Sequence, residues 1–362
     1  MKQPISACIM TKNEQDTIGN CVDSIRPYVE EIIVLDTGSE DATADIAFSK
    51  GAAVFHTVWQ NDFSKVRNEL IQLAKQPIVL MIDADEIAVP KQERAFSEVA
   101  KRLLSDESLV AKISILNETD DGISSASISR IFNKDSGIFF KGVVHEQIEC
   151  STKELKFIQS DIVLRHTGYL SSQIIANNKY ERNLTLLFKE LEKNNKNSYI
   201  HFQIGRTYSA SGAYEKAAHH LNLAYKFSSD EYAYHSALIQ AYGWALLRTK
   251  KFSELFELLQ IGLQLYPDYT DLYFLYGCTL VELKSAEHVH LIPDIFLGCI
   301  ELGEPDPQKY ETVSGVGSFK AYYNLGLYYE LTGQTDRAFI AYKNSAEADF
   351  KPAIERLTQL RT

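Results

Sequence analysis

The feature that most constrains the fold is an apolar run, Ile78–Ile82, which stands between Pro77 and an acidic stretch. A continuous apolar run of this length is typical of a strand buried on both faces of an α/β sheet. The acids that follow it are Asp83, Asp85 and Glu86. Because ligands of open α/β sheets bind just beyond the carboxyl ends of the strands, these carboxylates occupy a position suited to ligand binding.

Asp83 and Asp85 are two positions apart, so in an extended turn their side chains point to the same side and can converge on one ligand. Carboxylate oxygens suit Mg²⁺ or Mn²⁺, and proteins usually share such ions with substrate phosphates. We therefore expect a metal-diphosphate site here. The alternative is a solvated acidic turn that caps the next helix, which is the better interpretation of an isolated Asp-x-Asp.

The first half of the chain alternates between strand and helix patterns. Strands are predicted at 5–10, 31–35 and 51–56, and helices at 14–25, 39–50 and 62–75. This alternation predicts parallel strands joined by right-handed crossovers. Asn13 and Asp36 follow the first two strands, so we expect them in the same crevice as the acidic stretch. Further strands are predicted at 109–116 and 126–133, and Arg130 in the second of these needs a partner.

Several classes of protein are disfavoured. No GxGxxG motif follows the first strand and no GxxxxGK[ST] motif occurs, which argues against a dinucleotide enzyme and a P-loop ATPase. The net charge of -11 argues against nucleic-acid binding. The five cysteines lack CxxC spacing and are predicted to be reduced core residues. The sequence shows neither a signal-peptide core nor a membrane-spanning segment, so we expect a cytoplasmic protein.

The second half contains a repeat rich in tyrosine. Gly205, Tyr208, Gly212, Ala217 and Leu221 recur as Gly326, Tyr329, Gly333, Ala338 and Tyr342, a shift of 121 (326 minus 205). Copies also occur at Gly243 and, in degenerate form, at Gly277. The pattern resembles tetratricopeptide repeats, in which small residues lie where paired helices touch. The stretch 304–318 is predicted to be a linker or insertion, and 172–193 a connecting helix.

Four motifs of the first half carry a second resemblance: Thr11–Glu14, Val34–Thr43, Trp59–Glu69 and Ile82–Glu86. Together they resemble the inverting, nucleotide-sugar-dependent glycosyltransferases of family-two type and GT-A fold. The Trp59–Glu69 motif and Gly142–Glu146 resemble, more narrowly, the subgroup of sublancin-type peptide S-glycosyltransferases and lipopolysaccharide-core glucosyltransferases. The two resemblances together imply a Rossmann-like, mainly parallel catalytic domain at 1–170, a connecting helix at 171–197 and an all-α repeat domain at 198–362.

The glycosyltransferase resemblance implies a nucleotide-sugar site made of Thr11, Asn13, Glu14, Asp36, Arg67, Asp83 and Ala84. Asp36 would accept a hydrogen bond from the uracil imide, as an ionised carboxylate can; the alternative is a turn or capping aspartate. Asp83 would face the ribose. Arg67 would reach the nucleotide or its diphosphate, or would form an exposed salt bridge instead.

The resemblance also implies a metal site and a base. Asp85 would hold Mg²⁺ or Mn²⁺, with His166 as a last metal or diphosphate ligand, although a structural role for this histidine is equally open. Inverting transfer needs a base on the face opposite the leaving diphosphate. Glu146 is the candidate catalytic base, and His145 either replaces it or orients it.

The resulting hypothesis is a metal-dependent inverting hexosyltransferase that uses a UDP-sugar. Its acceptor is a cysteine or serine side chain of a peptide, or alternatively a glycan of the cell envelope or lipopolysaccharide core. The repeats would bind the acceptor or form a homodimer. A rival from another class is a non-catalytic interaction protein whose repeats do the work and whose transferase domain is vestigial.

Overall fold

The computed structural model describes residues 2–119, 122–166 and 173–360. The chain divides into two compact units, one ending at Lys193 and the other beginning at Asn194. The predicted connecting helix therefore belongs to the first unit. Among the described residues, no helix is both long enough and apolar enough to cross a membrane.

The first unit begins with the predicted alternation. Its first elements are β1 (Gln3–Thr11), α1 (Ile18–Ile25), β2 (Val29–Asp36), α2 (Thr43–Ser49), β3 (Ala53–His56), α3 (Phe63–Leu73), β4 (Ile78–Asp83), β5 (Glu86–Ala88) and α4 (Ala95–Ser105). It continues with β6 (Leu109–Thr119), β7 (Gly122–Asn133), β8 (Ile138–Lys141), β9 (Gln147–Cys150), β10 (Lys156–His166) and α5 (Gln173–Lys193). Helix α1 begins later than predicted because the amides of Thr17 and Ile18 both bond to the Glu14 carbonyl in a preceding turn.

The main sheet has the strand order β3-β2-β1-β4-β7-β6-β10-β5. The first four strands are parallel, as predicted, and β6 and β10 are also parallel. The pairs β4–β7, β6–β7 and β5–β10 are antiparallel. Strands β8 and β9 form a separate antiparallel hairpin. This is the expected Rossmann-like, mainly parallel sheet.

The central strand β4 is buried on both faces, which confirms the interpretation of the apolar run. Ile78, Leu80 and Ile82 pack into the cluster that contains α1 and α4. Val79 and Met81 pack into the cluster that contains α3 and β8. The alternation of strand side chains thus fills two cores with one apolar segment. All five cysteines are outside disulfides, and three of them, Cys8, Cys21 and Cys299, are buried.

The second unit is helical. It contains α6 (Ser198–Ala210), α7 (Tyr214–Phe227), α8 (His235–Arg248), α9 (Phe252–Leu265), α10 (Thr270–Leu283), α11 (Ile292–Leu302), α12 (Phe319–Leu331), α13 (Thr335–Ala346) and α14 (Lys351–Leu360), with a short strand, β11 (Thr312–Val313). The stretch 304–318 is an insertion rather than a free linker. Its Tyr310 is buried and stacks on Tyr269 with ring centroids 4.2 Å apart, and its Glu311 forms an ion pair with Arg206.

The repeat glycines lie where neighbouring helices touch, as predicted. A Cβ atom added at Gly205, Gly243, Gly277 or Gly326 would come within 2.5 to 2.7 Å of a side chain on another helix. At Gly205 that neighbour is Leu221, sixteen positions further along the chain, in the paired helix α7. The small residue is therefore a packing requirement in each copy.

Gly277→Ala tests this requirement. The new methyl group would lie 2.7 Å from the ring of Phe296, which is fully buried and has no room to withdraw. We expect the free energy of unfolding to fall by about 1–3 kcal/mol, measured by urea denaturation. Gly298→Ala is the matched control, because nothing lies within 4 Å of that position, and better helix propensity should stabilise it by up to about 1 kcal/mol. Equal stabilisation by both changes would contradict the close packing at Gly277.

Candidate active site

The candidate residues gather at the carboxyl edge of the parallel strands. Thr11 is paired with Asp36 in the register of β1 and β2. Met10 is paired with Asp83 in the register of β1 and β4. The last residues of three adjacent strands therefore lie side by side, as the strand pattern predicted.

Asp36 is a buried, ionised carboxylate in a tight turn. Its Oδ2 atom accepts hydrogen bonds from the amides of Gly38 at 3.2 Å and Ser39 at 3.0 Å, and the Ser39 hydroxyl donates to Oδ1. Burial acts to raise the pKa of Asp36, but these hydrogen bonds outweigh it and lower the pKa below its ordinary value. Asp36 therefore has the turn-stabilising role that the sequence left open. Its ionised carboxylate can still accept a further hydrogen bond.

The loops after β1 and β2 brace each other. Asn13 adopts a left-handed backbone with φ of 55°, a conformation that asparagine tolerates better than most residues. Its amide donates to the Ser39 hydroxyl at 2.8 Å, and its Oδ1 atom accepts from the Glu40 amide at 2.8 Å. Glu14 donates its amide to Thr43 at 2.7 Å, while burial and the charge of Asp85 raise the pKa of its carboxyl.

Thr11 adds an unusual feature to this edge. The residue is 3% exposed, and its Oγ1 atom is buried without a hydrogen-bond partner among the described residues. Buried hydroxyls are normally paired, and leaving one unpaired costs about 1–3 kcal/mol. This unpaired hydroxyl belongs to the residue that pairs with Asp36 in the register of β1 and β2.

The acidic stretch forms the expected turn, but in it Asp83 and Asp85 do not point to the same partner. Ala84 and Asp85 form a turn between β4 and β5, which removes the alternation on which convergence was predicted. Asp83 bonds to Arg67 at 2.9 Å and to Arg130 at 2.8 Å. The two aspartates thus contact different partners. Ala84 itself is buried, at 4% exposed.

Asp85 pairs with His166 at the end of β10. Its Oδ2 atom lies 2.7 Å from His166 Nε2, and His166 Nδ1 lies 3.2 Å from Asn117 Oδ1. Burial acts to lower the pKa of His166, but the hydrogen bond and charge of Asp85 outweigh it and raise the pKa. The register explains the pairing, because β5 begins at Glu86, which lies opposite His166 on β10.

This pair has donors suited to Mg²⁺ or Mn²⁺. A carboxylate oxygen and an imidazole nitrogen already lie within 2.7 Å of each other, and the Asn117 contact matches the outer hydrogen bond that orients metal-binding histidines. Within the described residues, no group of three His, Cys, Asp or Glu side chains is arranged to hold an ion. Further ligands would come from a diphosphate and water, as is usual for Mg²⁺ sites.

Beneath the turn lies a buried network of ion pairs. Arg67, on α3, donates through Nε to Glu146 and through Nη2 to Asp83 at 2.9 Å. Arg130, on β7, contacts Asp83 at 2.8 Å and Glu86 at 3.5 Å. One guanidinium group therefore joins the acidic turn to the candidate base.

Burial and charge set the protonation of the two network acids in opposite directions. Burial acts to raise the pKa of Asp83, but Arg130 and Arg67 outweigh it and hold the pKa far below the ordinary value. Burial raises the pKa of Glu86 to about 7, with the charge of Asp83 adding to it and Arg130 opposing it. Asp83 is thus fixed as an anion, while Glu86 is near its titration point at neutral pH.

The two candidate bases differ in environment. Both lie in the loop between β8 and β9, where Val143 accepts a hydrogen bond from the Phe63 amide at 2.9 Å. His145 has a left-handed backbone, with φ of 54°, and is exposed. The Glu146 side chain is 9% exposed and pairs with Arg67. The structure therefore brings Glu146, rather than His145, into the network with Asp83.

The first unit is similar to a known family. The family model described as "Glycosyl transferase family 2" matches residues 6–144. These residues therefore resemble a family 2 glycosyltransferase domain. The model described as "Tetratricopeptide repeat" matches residues 319–352, which contain α12 and α13. The chain is thus similar to family 2 glycosyltransferases in its first unit and to a tetratricopeptide repeat near its carboxyl terminus.

Two curated relatives each match more than half of this chain. The "TPR repeat-containing protein Synpcc7942_0270" of Synechococcus elongatus is 29% identical over 251 residues, which are 65% of this chain and 61% of the relative. The "SPbeta prophage-derived glycosyltransferase SunS" of Bacillus subtilis is 28% identical over 288 residues, which are 78% of this chain and 68% of the relative. The chain therefore spans less than two thirds of the first relative's length.

A solved structure also matches part of the chain. It is titled glucosyl-3-phosphoglycerate synthase from Mycobacterium tuberculosis in complex with Mg²⁺ and uridine diphosphate. The sequence identity is 27%, the TM-score is 0.27, and the match covers 32% of this chain and 44% of that one.

Three residues that the structure brings to the candidate site were not among the predicted site residues: Glu86, Asn117 and Arg130. Glu86 had been grouped with the acids but given no role, and Asn117 gave no signal beyond its position in a polar loop. Arg130 did give a signal, because a lone arginine in an apolar strand needs a partner. That partner proves to be the acidic turn, and Arg67, expected at the nucleotide or in an exposed salt bridge, is 7% exposed and paired twice.

Proposed function

We propose that this protein is a metal-dependent inverting glycosyltransferase that transfers a hexose from a UDP-sugar to an acceptor. The observation that carries the proposal is the Asp85–His166 pair, with side-chain atoms 2.7 Å apart, on the turn that follows β4. It lies at the sheet edge where Asp36 ends β2. A metal-binding pair and a nucleoside-binding acid at one edge are the parts that such a transfer needs.

The donor would be held by the loops at this edge. Asp36 accepts a hydrogen bond from the uracil imide in this proposal, since its Oδ1 atom, which accepts from the Ser39 hydroxyl, has capacity for a second donor. Thr11, Asn13 and Glu14 surround the nucleoside. Asp83, Ala84 and Arg67 complete the donor site, with Asp83 held in place by its two arginines.

Asp85 and His166 would hold Mg²⁺ or Mn²⁺. The bound ion supplies electrostatic stabilisation of the departing UDP. Asn117 keeps the His166 ring oriented through its contact with Nδ1 at 3.2 Å. The role of the chain here is to present one oxygen and one nitrogen to the same point.

Glu146 would act as the base. As the acceptor oxygen or sulfur bonds to the anomeric carbon, the bond from that carbon to the diphosphate oxygen breaks, and the acceptor proton passes to a Glu146 oxygen. Arg67 fixes the position of that carboxylate through its Nε atom. His145 is the alternative base, on the same loop but exposed.

For the acceptor we propose a cysteine or serine side chain of a peptide. The support is the tetratricopeptide region, because stacked helical repeats offer an extended surface that suits a peptide. A cell-envelope glycan is the alternative acceptor, and self-association the alternative role of the repeats.

The test is UDP release from a panel of UDP-sugars with Mn²⁺ or Mg²⁺, with and without a cysteine- or serine-containing peptide. We expect metal-dependent release with one sugar, increased by the peptide. Intact protein that neither binds UDP nor consumes any nucleotide sugar would overturn the proposal and favour an interaction protein.

Asp36→Asn tests the uridine contact. The amide removes the charge but keeps the side-chain shape, so a charge-assisted hydrogen bond worth about 1.5–3 kcal/mol is lost. We expect the dissociation constant for UDP to rise about 10- to 100-fold by calorimetry. Asp45→Asn, an exposed change in the first turn of α2, should leave it unchanged. If the two variants bind UDP equally well, Asp36 does not contact the uracil.

A further inference from the structure

Arg130 joins both ends of the acidic turn. Its Nη2 atom lies 2.8 Å from Asp83 Oδ2 and 3.5 Å from Glu86 Oε1. Glu86 in turn accepts a hydrogen bond on Oε2 from the Asp83 amide at 2.8 Å. Arg130 therefore bridges Asp83 and Glu86, the first and last residues of the turn 83–86, and Asp85 lies within this turn.

Fixing this turn also fixes His166. Glu86 is the first residue of β5 and lies opposite His166 in the antiparallel register of β5 and β10. A displacement of Glu86 would therefore move the backbone that faces His166 together with the turn that carries Asp85. The 2.7 Å contact between Asp85 and His166 depends on one backbone position that Arg130 and Glu86 determine.

Stability alone does not account for Arg130. The residue is 8% exposed, and its Nη1 atom is buried with no hydrogen-bond partner among the described residues. An unpaired buried donor costs about 1–3 kcal/mol, and buried ion pairs can often be replaced by apolar side chains without loss of stability. The cost is explained if the arginine sets a geometry that an apolar residue would not set.

We propose that Arg130 is a positioning residue which, together with Glu86, holds the turn 83–86 so that Asp85 and His166 can bind a divalent cation together. This inference rests on the metal site of the proposed function. The geometry of the metal site would then depend on Arg130. The ion pairs of Arg130 described above are with Asp83 and Glu86, not with the metal-binding pair.

The identity of the residue matters to the proposal. Both contacts are made by one nitrogen, Nη2, and a lysine ammonium ends one bond nearer the backbone, so it would not reach both carboxylates from the same position on β7. Arg130→Lys therefore keeps the charge but holds only one of Asp83 and Glu86. We expect it to behave like Arg130→Met in metal binding, even though it is the conservative change.

The experiment measures Mn²⁺ binding by electron paramagnetic resonance in the presence of saturating UDP. For Arg130→Lys and Arg130→Met of the full chain we expect the Mn²⁺ dissociation constant to rise 10-fold or more. Uridine affinity, measured in the absence of metal by calorimetry, should fall clearly less than Mn²⁺ affinity, because Asp83 keeps its bond to Arg67 and the loop of Asp36 is untouched. Asn133→Ser is the matched control, because Asn133 is a buried polar residue on the same strand, and its change should leave Mn²⁺ binding within twofold.

Each outcome decides the inference. If Arg130→Lys binds Mn²⁺ as tightly as wild type, the positioning role is overturned while the proposed function stands. If both arginine variants weaken uridine and Mn²⁺ binding equally, the residue serves general folding and the inference also falls. If wild type itself binds no Mn²⁺, both the metal site of the proposed function and this inference are wrong. Glu86→Gln, which keeps the acceptor for the Asp83 amide, supplies the same test if the arginine variants do not fold.

Discussion

Asp85→Asn is expected to lower the kcat of UDP-sugar turnover by about 10³-fold, which corresponds to about 4 kcal/mol of lost transition-state stabilisation. The amide keeps the shape of the side chain but removes the negative charge that a hard divalent cation requires. It also weakens the contact with His166 Nε2, now 2.7 Å from Asp85 Oδ2. The measurement is single-turnover UDP release at saturating Mn²⁺ and donor.

The control is Lys91→Ala, an exposed change just after β5, which should leave kcat unchanged. Affinity for uridine in the absence of metal should be the same in Asp85→Asn, Lys91→Ala and wild type, because Asp36 and its loop are untouched. Turnover of Asp85→Asn within 10-fold of wild type would mean that Asp85 does not hold the ion. In that case the pair with His166 is a structural salt bridge.

The parts of this fold that the sequence predicted are those with a local signal. The strand β4 was recognised from five consecutive apolar residues, and its alternate side chains fill two separate cores. The repeat glycines were recognised from their recurrence, and each lies at a helix contact. Periodicity and recurrence are properties of neighbouring positions, so sequence reasoning can detect them without knowing the fold.

The pairings within the site had no such signal. Arg67 and Glu146 are 79 positions apart, and Arg130 and Asp83 are 47 apart, so only the sheet topology brings them together. A turn was expected at Ala84 and Asp85, but it was taken to be extended enough for Asp83 and Asp85 to point to the same side. A turn directs side chains differently from a strand, and this explains why Asp83 faces arginines while Asp85 faces a histidine.

The charges of the buried network explain why its arginines and carboxylates occur together, which a residue-by-residue prediction could not show. Two buried arginines face three carboxylates, those of Asp83, Glu86 and Glu146. Burying one partner without the other would cost several kcal/mol, so the acidic turn and the arginines belong together in the fold. The sequence showed the acids and flagged Arg130, but the buried partnership became evident only from the packing of α3 and β7 under the turn.

Glu146→Gln is expected to lower kcat by about 10²- to 10⁴-fold, the usual contribution of a positioned general base. Glutamine keeps an oxygen that can accept from Arg67 Nε, but it cannot take up the acceptor proton. The KM for the UDP-sugar should change little, because the donor loops after β1 and β2 are untouched. The measurement is initial-rate kinetics with a serine-containing and a cysteine-containing peptide in parallel. The serine acceptor should lose more than the cysteine acceptor, because a thiol ionises near neutral pH and depends less on a base.

Glu149→Gln on β9 is the matched control, since Glu149 forms an ion pair with Lys141 on the surface of the same hairpin, and surface pairs contribute little. It should retain wild-type kcat. His145→Ala should lose less than 10-fold if Glu146 is the base. A larger loss for His145→Ala than for Glu146→Gln would transfer the role of base to His145 and leave Glu146 as the anchor of Arg67.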